Sequence, residues 1–223
     1  MKKKIIIVGN GIAAEIVYGV LSRDKRFEIA AFTVHQNYMT FEKLFNLPVV
    51  ALENLLNDYS PASHHVVMAV GYSNINQNRE QLFNTLISHG YDIMSYLHPN
   101  ATILSDNIGQ GVFIMPGAVI EPHATIENNT VIWSNATIAH HVIVREHAWI
   151  ASGTVIAGEA LIGRNSFLGV NATVVNKISI GSYNIIGAGT LVSKDTPNNT
   201  VMLARSGEKH RFDSQSYSRF YQS

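Results

Sequence analysis

Four histidines, His123, His140, His141 and His147, lie close together near the middle of the chain. Imidazole titrates near neutral pH, so such a cluster can act in acid–base chemistry or bind a metal. His140 and His141 are adjacent, in the segment "IAHHVI". The same side chains can also be polar positions on a solvated surface. The choice between these alternatives depends on the secondary structure that carries the histidines.

The histidines lie within a repeat of six residues. Ile, Val or Leu occupies every sixth position from Ile108 to Val192, which makes fifteen consecutive hexads. No α-helix keeps this period, and a hairpin sheet would show turn signals between its strands. Repeats of this kind stack into a solenoid in which neighbouring units bury each other. Three hexads form one triangular coil, so the pattern predicts five coils of 18 residues.

The first hundred residues have a different pattern, in which apolar runs alternate with amphipathic segments. This alternation predicts a parallel sheet with helices on both faces. The predicted strands are 4–9, 27–34, 48–50, 65–71 and 93–99, and the predicted helices are 11–23, 52–58 and 75–90. We therefore expect a small doubly wound α/β domain ahead of the solenoid.

The composition argues against several classes of function. Lys+Arg and Asp+Glu number 16 each, so no net positive field recruits nucleic acid. The chain has no cysteine, which excludes disulfides and thiolate metal sites. The apolar run after Lys2–Lys4 soon meets glycine and predicts a strand, and no segment approaches the roughly 18 apolar residues of a membrane span. We expect a soluble, cytoplasmic protein.

The hexads "IGQGVF", "IGRNSF", "LGVNAT", "IGSYNI" and "IGAGTL" resemble those of the hexapeptide acyltransferases. The α/β domain ahead of them narrows the resemblance to the bacterial nucleotide-sugar acetyltransferases of the PglD, NeuD and PerB type. The resemblance implies a Rossmann-like parallel-sheet domain (1–100), a left-handed parallel β-helix of about five coils (101–205) and a C-terminal tail (206–223). It also implies a homotrimer with active sites between neighbouring solenoids.

By the same resemblance, His140 is the general base that accepts a proton from the attacking amine or hydroxyl. Family members carry Asp or Glu directly after this histidine, whereas this chain has His141. His141 can hold a tautomer by hydrogen bonding, and Glu121 or Glu159 could supply the missing negative charge. Gly158, one coil beyond His140, matches the residue whose backbone N–H stabilises the oxyanion.

Acetyl-CoA is the implied co-substrate, without a metal. The residues expected to contact the pantetheine are Trp149, Val170 and Ala188, and a close relative has histidine at the position of Trp149. Lys194 and Arg205 are expected near the phosphates. Three histidines around a zinc ion, as in the carbonic-anhydrase-like solenoids, would be another use of the cluster. That class carries an H-x4-H pair, which none of the intervals here provides.

The nucleotide sugar is expected to bind the N-terminal domain. "GNGI" (Gly9, Asn10, Gly11 and Ile12) follows the first strand and opens a helix, the setting in which a glycine-rich turn accepts phosphate. The other expected contacts are Thr33, Val34, His35, Gly71 and Tyr72. No acid follows the second strand to hold a ribose diol, so a nicotinamide dehydrogenase is disfavoured.

These observations favour one function and leave two alternatives. We expect an acetyl-CoA-dependent N-acetyltransferase acting on a nucleotide-linked amino-deoxysugar, such as a 4-amino-4,6-dideoxy sugar, for surface glycan (O-antigen or lipopolysaccharide) biosynthesis. A sugar O-acetyltransferase resembling those of sialic acid is the first alternative. A non-catalytic nucleotide-sugar-binding solenoid is the second, since the acid after His140 is missing.

Overall fold

The computed structural model describes residues 2–221. Its N-terminal part contains strands β1 (Lys3–Val8), β2 (Phe27–Val34), β3 (Lys43–Leu44), β4 (Leu47–Ala51) and β5 (His65–Met68), and helices α1 (Ile12–Leu21), α2 (Leu55–Asp58) and α3 (Gln77–Ser88). Short 3-10 helices occupy Gln36–Tyr38 and Leu52–Asn54. The strand order is β3-β4-β2-β1-β5, and only β3 is antiparallel to its neighbour. The predicted parallel sheet is confirmed.

The helices cover both faces of this sheet, as predicted. Ile5 and Ile7 of β1 pack with α1 on one face, whereas Ile6 and Val8 pack with α2 and α3 on the other. This alternation follows from the period of two along a strand, since both faces are buried. The face that carries α1 also packs against the solenoid, so the two parts of the chain share one hydrophobic cluster.

The hairpin of β3 and β4 was not predicted. Its turn residues, Phe45 and Asn46, have φ of 50° and 64°. Two-residue hairpin turns of this kind favour Asn-Gly or Asp-Gly. The pair Phe45–Asn46 carries neither signal, so the sequence indicated only a loop here.

The predicted strand 93–99 was wrong as a member of the N-terminal sheet. Only Ile93 bridges to that sheet, through Val66. Tyr96–Leu97 pairs instead with Phe113–Ile114 and begins the solenoid. Sequence periodicity could not distinguish these partners, because a short apolar run suits either sheet.

The solenoid has three parallel sheets of short strands, which we call the domain-facing, second and third sheets. The domain-facing sheet contains Tyr96–Leu97, Phe113–Ile114, Val131–Ile132, Trp149–Ile150, Phe167–Leu168, Ile185–Ile186 and Val201–Met202. The second contains Thr102–Ile103, Val119–Ile120, Thr137–Ile138, Val155–Ile156, Thr173–Val174 and Leu191–Val192. The third contains Thr125–Ile126, Ile143–Val144, Leu161–Ile162 and Ser179–Ile180.

The predicted hexads fill the interior of the solenoid. Every hexad aliphatic from Ile114 to Val192 is at most 1% exposed. Within each sheet the regular strands pair in register with the residue 18 positions on, as Thr137 does with Val155 and Ile143 with Leu161. The predicted coil of 18 residues is confirmed, and strands at both ends of the domain-facing sheet extend it beyond the regular hexads.

The tail after the solenoid ends in a short helix, α4 (Ser214–Ser218), and a 3-10 turn, Arg219–Tyr221. The Asp213 carboxylate caps α4 by accepting the N–H of Ser216 at 2.7 Å, which lowers the pKa of Asp213. Over residues 2–221, no helix combines the length and the apolar character that crossing a membrane requires.

Candidate active site

His140 and His141 lie in the turn that joins Thr137–Ile138 of the second sheet to Ile143–Val144 of the third sheet. Both side chains are exposed. Their Nδ1 atoms are 3.2 Å apart, so one nitrogen donates a hydrogen bond and the other accepts it. We call this turn, with its equivalents 121–124 and 157–160 on the adjacent coils, the histidine corner.

Gly158 lies directly against the ring of His140. A Cβ atom at position 158 would be 2.5 Å from Cε1 and 2.6 Å from Nε2 of His140. Glycine at this position therefore lets the imidazole lie where it does. Among residues 2–221, the N–H of Gly158 has no hydrogen-bond acceptor. This donor, on the residue that the imidazole ring contacts, is free for a ligand.

The two carboxylates expected to compensate for the missing acid lie at the histidine corner but bind other groups. Glu121 Oε2 accepts the backbone N–H of His140 at 2.8 Å. Glu159 Oε1 is 3.7 Å from the ammonium of Lys177. In the part of the chain that the structure describes, neither carboxylate bonds an imidazole ring. His141 is therefore the only side chain that holds the ring of His140 by a hydrogen bond there.

His123 stacks against His141, with ring centroids 4.7 Å apart and planes 34° apart. Its position agrees with the predicted column of residues 18 apart. His123, His141 and Glu159 all have positive φ, of 65°, 60° and 62°. They are the left-handed corner residues of three successive coils, and His123 supports His141 without touching His140.

His147 lies apart from this cluster, at the corner between the third and domain-facing sheets, and its side chain is only 3% exposed. Burial lowers the pKa of His147 to about 4. Asn129 Nδ2 donates to its Nδ1 at 2.9 Å, so Nε2 carries the proton and faces Glu146 at 3.3 Å. His147 is thus a neutral, buried histidine near neutral pH.

We expect His147 to lower the stability of the fold in acid. Histidine in the unfolded chain titrates near pH 6.5, whereas burial keeps His147 neutral in the folded chain until about pH 4. The free energy of unfolding should therefore fall as the pH decreases from 6.5 to about 4. The variant His147→Gln, followed by urea unfolding, should lose part of this pH dependence. If the unfolding free energy depended equally on pH in the wild type and the variant, His147 would not be the group responsible. The variant keeps the charged groups that face the ring of His147, which are Glu80, Glu146, Arg79 and Arg164.

The residues expected to contact the pantetheine fall in two places. Val170 and Ala188 are exposed at the corner between the domain-facing and second sheets, in successive coils. Gly189 N–H donates to Val170 O at 2.8 Å. Trp149 is only 6% exposed, and its ring lies between the two domains. Contact of Trp149 with a coenzyme stays a prediction.

The two basic residues expected near the coenzyme phosphates are both exposed. Lys194 follows Leu191–Val192 at the same corner as His140, three coils further along. Arg205 follows Val201–Met202 at the end of the domain-facing sheet. The structure places these two cations on different corners of the solenoid.

The predicted phosphate turn lies where β1 ends and α1 begins. Gly9 has φ of 130°, and a Cβ there would be 2.5 Å from Ala69 O, so only glycine fits between β1 and the chain after β5. At Gly11 a Cβ would meet nothing within 4 Å. The first-turn N–H groups of α1, from Ile12 to Ala14, have no acceptor within residues 2–221. This arrangement suits an anion.

The end of β2 carries an acidic group that the sequence did not reveal. His35 Nδ1 is 2.9 Å from Glu53 Oε1, and Glu53 Oε2 accepts the N–H of Gln36 at 3.0 Å. The hydrogen bond to His35 lowers the pKa of Glu53. Glu53 follows β4 in sequence, so only strand pairing brings its carboxylate to the position after β2. The expected contacts Thr33 and Val34 end β2, and Thr33 Oγ1 is buried without a partner among the described residues.

The second predicted substrate loop, Gly71–Tyr72, follows β5 and reaches the solenoid. Tyr72 is 54% exposed and leans on Phe167, with ring centroids 4.5 Å apart. Three residues with positive φ follow, at 52°, 48° and 61°, for Asn74, Ile75 and Asn76. Such a backbone is costly for a β-branched residue like Ile75, so other contacts must hold the loop.

A buried arginine supplies these contacts. Arg79 of α3 is fully buried, and its guanidinium donates to Asn76 Oδ1 at 3.1 Å, to His147 O at 2.7 Å and to the backbone carbonyl of Asn129. Asn76 Nδ2 in turn donates to Asn165 O at 2.8 Å. Burial lowers the pKa of Arg79 to about 9, so it stays charged near neutral pH. We call Arg79 and Asn76, with their solenoid partners, the interdomain clamp.

Loss of the clamp should destabilise the protein. Arg79→Met leaves the buried carbonyls of Asn129 and His147 without donors, and each such loss costs about 1–3 kcal/mol. We expect the free energy of unfolding to fall by about 2 kcal/mol in urea titrations. Arg145→Met is the matched control, because Arg145 forms an exposed pair with Glu127 and should change stability by less than about 0.5 kcal/mol. Equal effects of both substitutions would contradict the clamp.

The expected base and the expected acceptor site are not brought together within one chain. The loop after β5 contacts the domain-facing sheet through Tyr72 and Trp149, and the loop after β1 leaves the sheet beside it. His140 lies at the corner between the other two sheets, on the far side of the triangular solenoid. Among residues 2–221 no group of three or more His, Cys, Asp or Glu is arranged to hold a metal ion.

Comparison with known proteins identifies the repeat and the whole fold. Residues 107–140 match the model of the bacterial transferase hexapeptide (six repeats). No curated protein sequence matches the chain. The acetyltransferase domain of PglB from Neisseria gonorrhoeae FA1090 in complex with acetyl coenzyme A is 25% identical, with a TM-score of 0.81 over 90% of this chain and 96% of that one.

Two further structures cover nearly the whole chain. PerB from Caulobacter crescentus in complex with CoA and GDP-perosamine is 26% identical, with a TM-score of 0.78 over 89% of this chain and 92% of that one. WeeI from Acinetobacter baumannii AYE is 19% identical, with a TM-score of 0.79 over 91% and 97%, and supports the fold alone. All three confirm a Rossmann-like domain followed by a left-handed β-helix. The PglB and PerB structures, with the hexapeptide match, also confirm the resemblance to hexapeptide-repeat sugar acetyltransferases and the class of acyltransferase.

Proposed function

We propose that this hexapeptide-repeat acyltransferase transfers an acetyl group from acetyl-CoA to the amino group of a nucleotide-linked amino-deoxysugar. The observation that carries the proposal is the geometry at the histidine corner. The Cε1–Nε2 edge of the His140 ring lies against Gly158, whose backbone N–H has no acceptor among residues 2–221. A base and an oxyanion donor side by side are what acyl transfer to an amine requires.

The transfer is direct in this proposal. The sugar amine attacks the thioester carbon while His140 Nε2 takes its proton, the Gly158 N–H stabilises the oxyanion, and the tetrahedral intermediate collapses with release of the CoA thiolate. The chain has no cysteine, so no thioester can form on the protein. The His140 imidazolium then returns its proton to the CoA thiolate, so the amide product, CoA thiol and neutral His140 account for all atoms.

His141 orients the base without a negative charge. For His140 to accept a proton at Nε2, its Nδ1 must carry the hydrogen and donate it to Nδ1 of His141 across 3.2 Å. His141 is then protonated at Nε2, and His123 supports its ring from the other side. His141 thus fixes the tautomer of His140, as a carboxylate would. Unlike a carboxylate, it brings no negative charge.

In a homotrimer with active sites between chains, the distance between His140 and the acceptor loops of the same chain has an explanation. The acceptor loops of one chain adjoin its domain-facing sheet, while its own His140 lies at the opposite corner. A second copy placed beside the first would bring its histidine corner to these loops. Exposed aliphatic side chains on the second sheet, Val155 and Leu191, would be covered by such an assembly.

The acceptor class is proposed by analogy with a similar protein. PerB is in complex with GDP-perosamine, an amino-sugar nucleotide, and the chain offers a turn suited to a diphosphate at Gly9–Ile12. We therefore favour N-acetylation in cytoplasmic synthesis of a surface glycan. O-acetylation and binding without turnover are the alternatives that the assay below distinguishes.

The test is release of CoA thiol from acetyl-CoA with UDP-, dTDP- and GDP-linked 4-amino-4,6-dideoxy sugars. The protein contributes no thiol of its own, because it has no cysteine, so a thiol reagent reports CoA alone. Turnover with one of these sugars, with the amide identified by mass spectrometry, would support the proposal. Turnover only with a hydroxyl acceptor such as sialic acid would favour O-acetylation, and binding without thiol release would favour a non-catalytic solenoid.

A further inference from the structure

An exposed aromatic surface lies at the junction of the two domains. Tyr72 contacts Phe167 (4.5 Å between ring centroids) and Trp149 (5.4 Å), and Trp149 contacts Trp133 at 5.6 Å. We call Tyr72, Trp149, Phe167 and Trp133 the aromatic platform. Trp149 is 6% exposed, whereas Tyr72, on top of it, is 54% exposed. Buried Trp149 and half-buried Phe167 thus support one tyrosine ring at the surface.

The platform adjoins the predicted phosphate turn. β1 and β5 are parallel neighbours, with Val8 paired to Met68, so Gly9–Ile12 and Gly71–Tyr72 leave the same edge of the sheet side by side. A Cβ added at Gly71 or Gly11 would meet nothing within 4 Å, so the space in front of both loops is open. In a nucleotide sugar the hexose is attached directly to the diphosphate, and a diphosphate on α1 would place it near Tyr72.

A second and independent observation favours an anionic ligand here. The guanidinium of Arg79 lies 5.7 Å from the ring of Trp149 and is fully buried. Its hydrogen-bond acceptors are carbonyl and amide oxygens, with no carboxylate among them, and its Nε is buried without a partner within the described residues. A buried positive charge behind the platform raises the potential where a diphosphate would bind.

We propose that Tyr72, supported by Trp149 and Phe167, is the surface on which the sugar ring of the nucleotide-linked acceptor stacks. A deoxysugar presents C–H groups and a methyl group on its apolar side, and burying these against an aromatic ring removes apolar area from water. This inference rests on the proposed function and specifies how the acceptor is held. Within the platform, Trp149 supports the ring of Tyr72 from below and needs no direct contact with the sugar.

The test compares binding of a nucleotide sugar with binding of its nucleotide alone. Isothermal titration calorimetry with GDP-perosamine, the UDP- and dTDP-linked 4-amino-4,6-dideoxy sugars, and GDP, UDP and dTDP identifies the ligand. Tyr72→Ala should weaken binding of the sugar nucleotide about tenfold, which is 1.4 kcal/mol, and that of the free nucleotide less than about twofold. Tyr72→Phe, which keeps the ring, should stay within about twofold for both.

Intrinsic fluorescence locates the effect. Trp133 and Trp149 are the only two tryptophans of the chain, and both belong to the platform, so their emission reports this junction. The sugar nucleotide should change tryptophan emission more than the free nucleotide does, and Tyr72→Ala should remove the difference. The matched control is Phe220→Ala, which removes another largely exposed aromatic ring, in the tail, and should leave both measurements unchanged.

The outcomes separate this inference from the proposed function. Binding or turnover of a sugar nucleotide that Tyr72→Ala leaves unchanged overturns the platform and keeps the acetyltransferase. Absence of binding by every nucleotide sugar overturns both. Because Tyr72 is largely exposed, a thermal melt of Tyr72→Ala within about 2 °C of wild type excludes misfolding as the cause of weaker binding.

Discussion

Replacing His140 by alanine is expected to lower kcat for acetyl transfer by about 100-fold or more. In the proposed mechanism the imidazole accepts the proton that the attacking amine must lose, and general-base catalysis of this kind contributes about 10²- to 10⁴-fold. The side chain is exposed, so its removal should leave the fold and the affinity for acetyl-CoA nearly unchanged. Thiol release under saturating substrates measures kcat, and calorimetry with acetyl-CoA measures binding.

Two substitutions at the same corner serve as controls. His123→Ala removes a ring that touches His141 but not His140, so we expect less than about a threefold loss. His141→Asp places a carboxylate where the related enzymes carry one, and it should retain or raise kcat, whereas His141→Ala should lower it about tenfold through loss of the oriented tautomer. Wild-type turnover in His140→Ala would mean that the base is misassigned.

Gly158→Ala is expected to reduce kcat by about 100-fold while the protein stays folded. The new Cβ would lie 2.5 Å from Cε1 and 2.6 Å from Nε2 of His140, so the imidazole must move away from the free N–H. A displacement of about 1 Å in a catalytic group can cost about 10²-fold. Gly158 does not have a left-handed φ, and the clashing group is an exposed side chain that can turn outward, so stability should change little.

The double variant His140→Ala/Gly158→Ala isolates this effect. If Gly158→Ala acts by displacing the imidazole, it should add no further loss once the imidazole is absent, which is the non-additivity expected of residues in contact. Gly163→Ala is the contrasting control. Its Cβ would lie 2.4 Å from the backbone of Gly181 and Ser182, so this variant should lose stability. Fully additive losses in the double variant would contradict the proposed role of Gly158.

The solenoid could be predicted almost completely from the sequence. A repeat of six with fifteen consecutive aliphatic positions admits one way of burying them, and Ile114 to Val192 are indeed in the core. The columns of residues 18 apart followed from the same period, so the stacking of His123 on His141 and of His140 on Gly158 was predictable. Local repetition carries this information because each coil contacts only its neighbours.

The α/β domain was predicted in outline but not in its connections. Strands β1, β2 and β5 and helices α1 and α3 follow from apolar runs and amphipathic segments. The strand pairing of Tyr96–Leu97 with the solenoid did not follow. A two-residue strand has too few side chains to specify its partner, so the packing of the two domains decides it.

The sequence by itself determined the repeat, the coil length, the column that His140 shares with Gly158 and the absence of a thiol nucleophile, because these depend on residue type and local period. Only the tertiary structure placed Glu53 beside His35, clamped Arg79 between the domains and supported Tyr72 on Trp149. Each of these contacts joins residues that lie far apart in the sequence. Such contacts depend on how the sheet and the solenoid dock, which no periodicity within a single segment encodes.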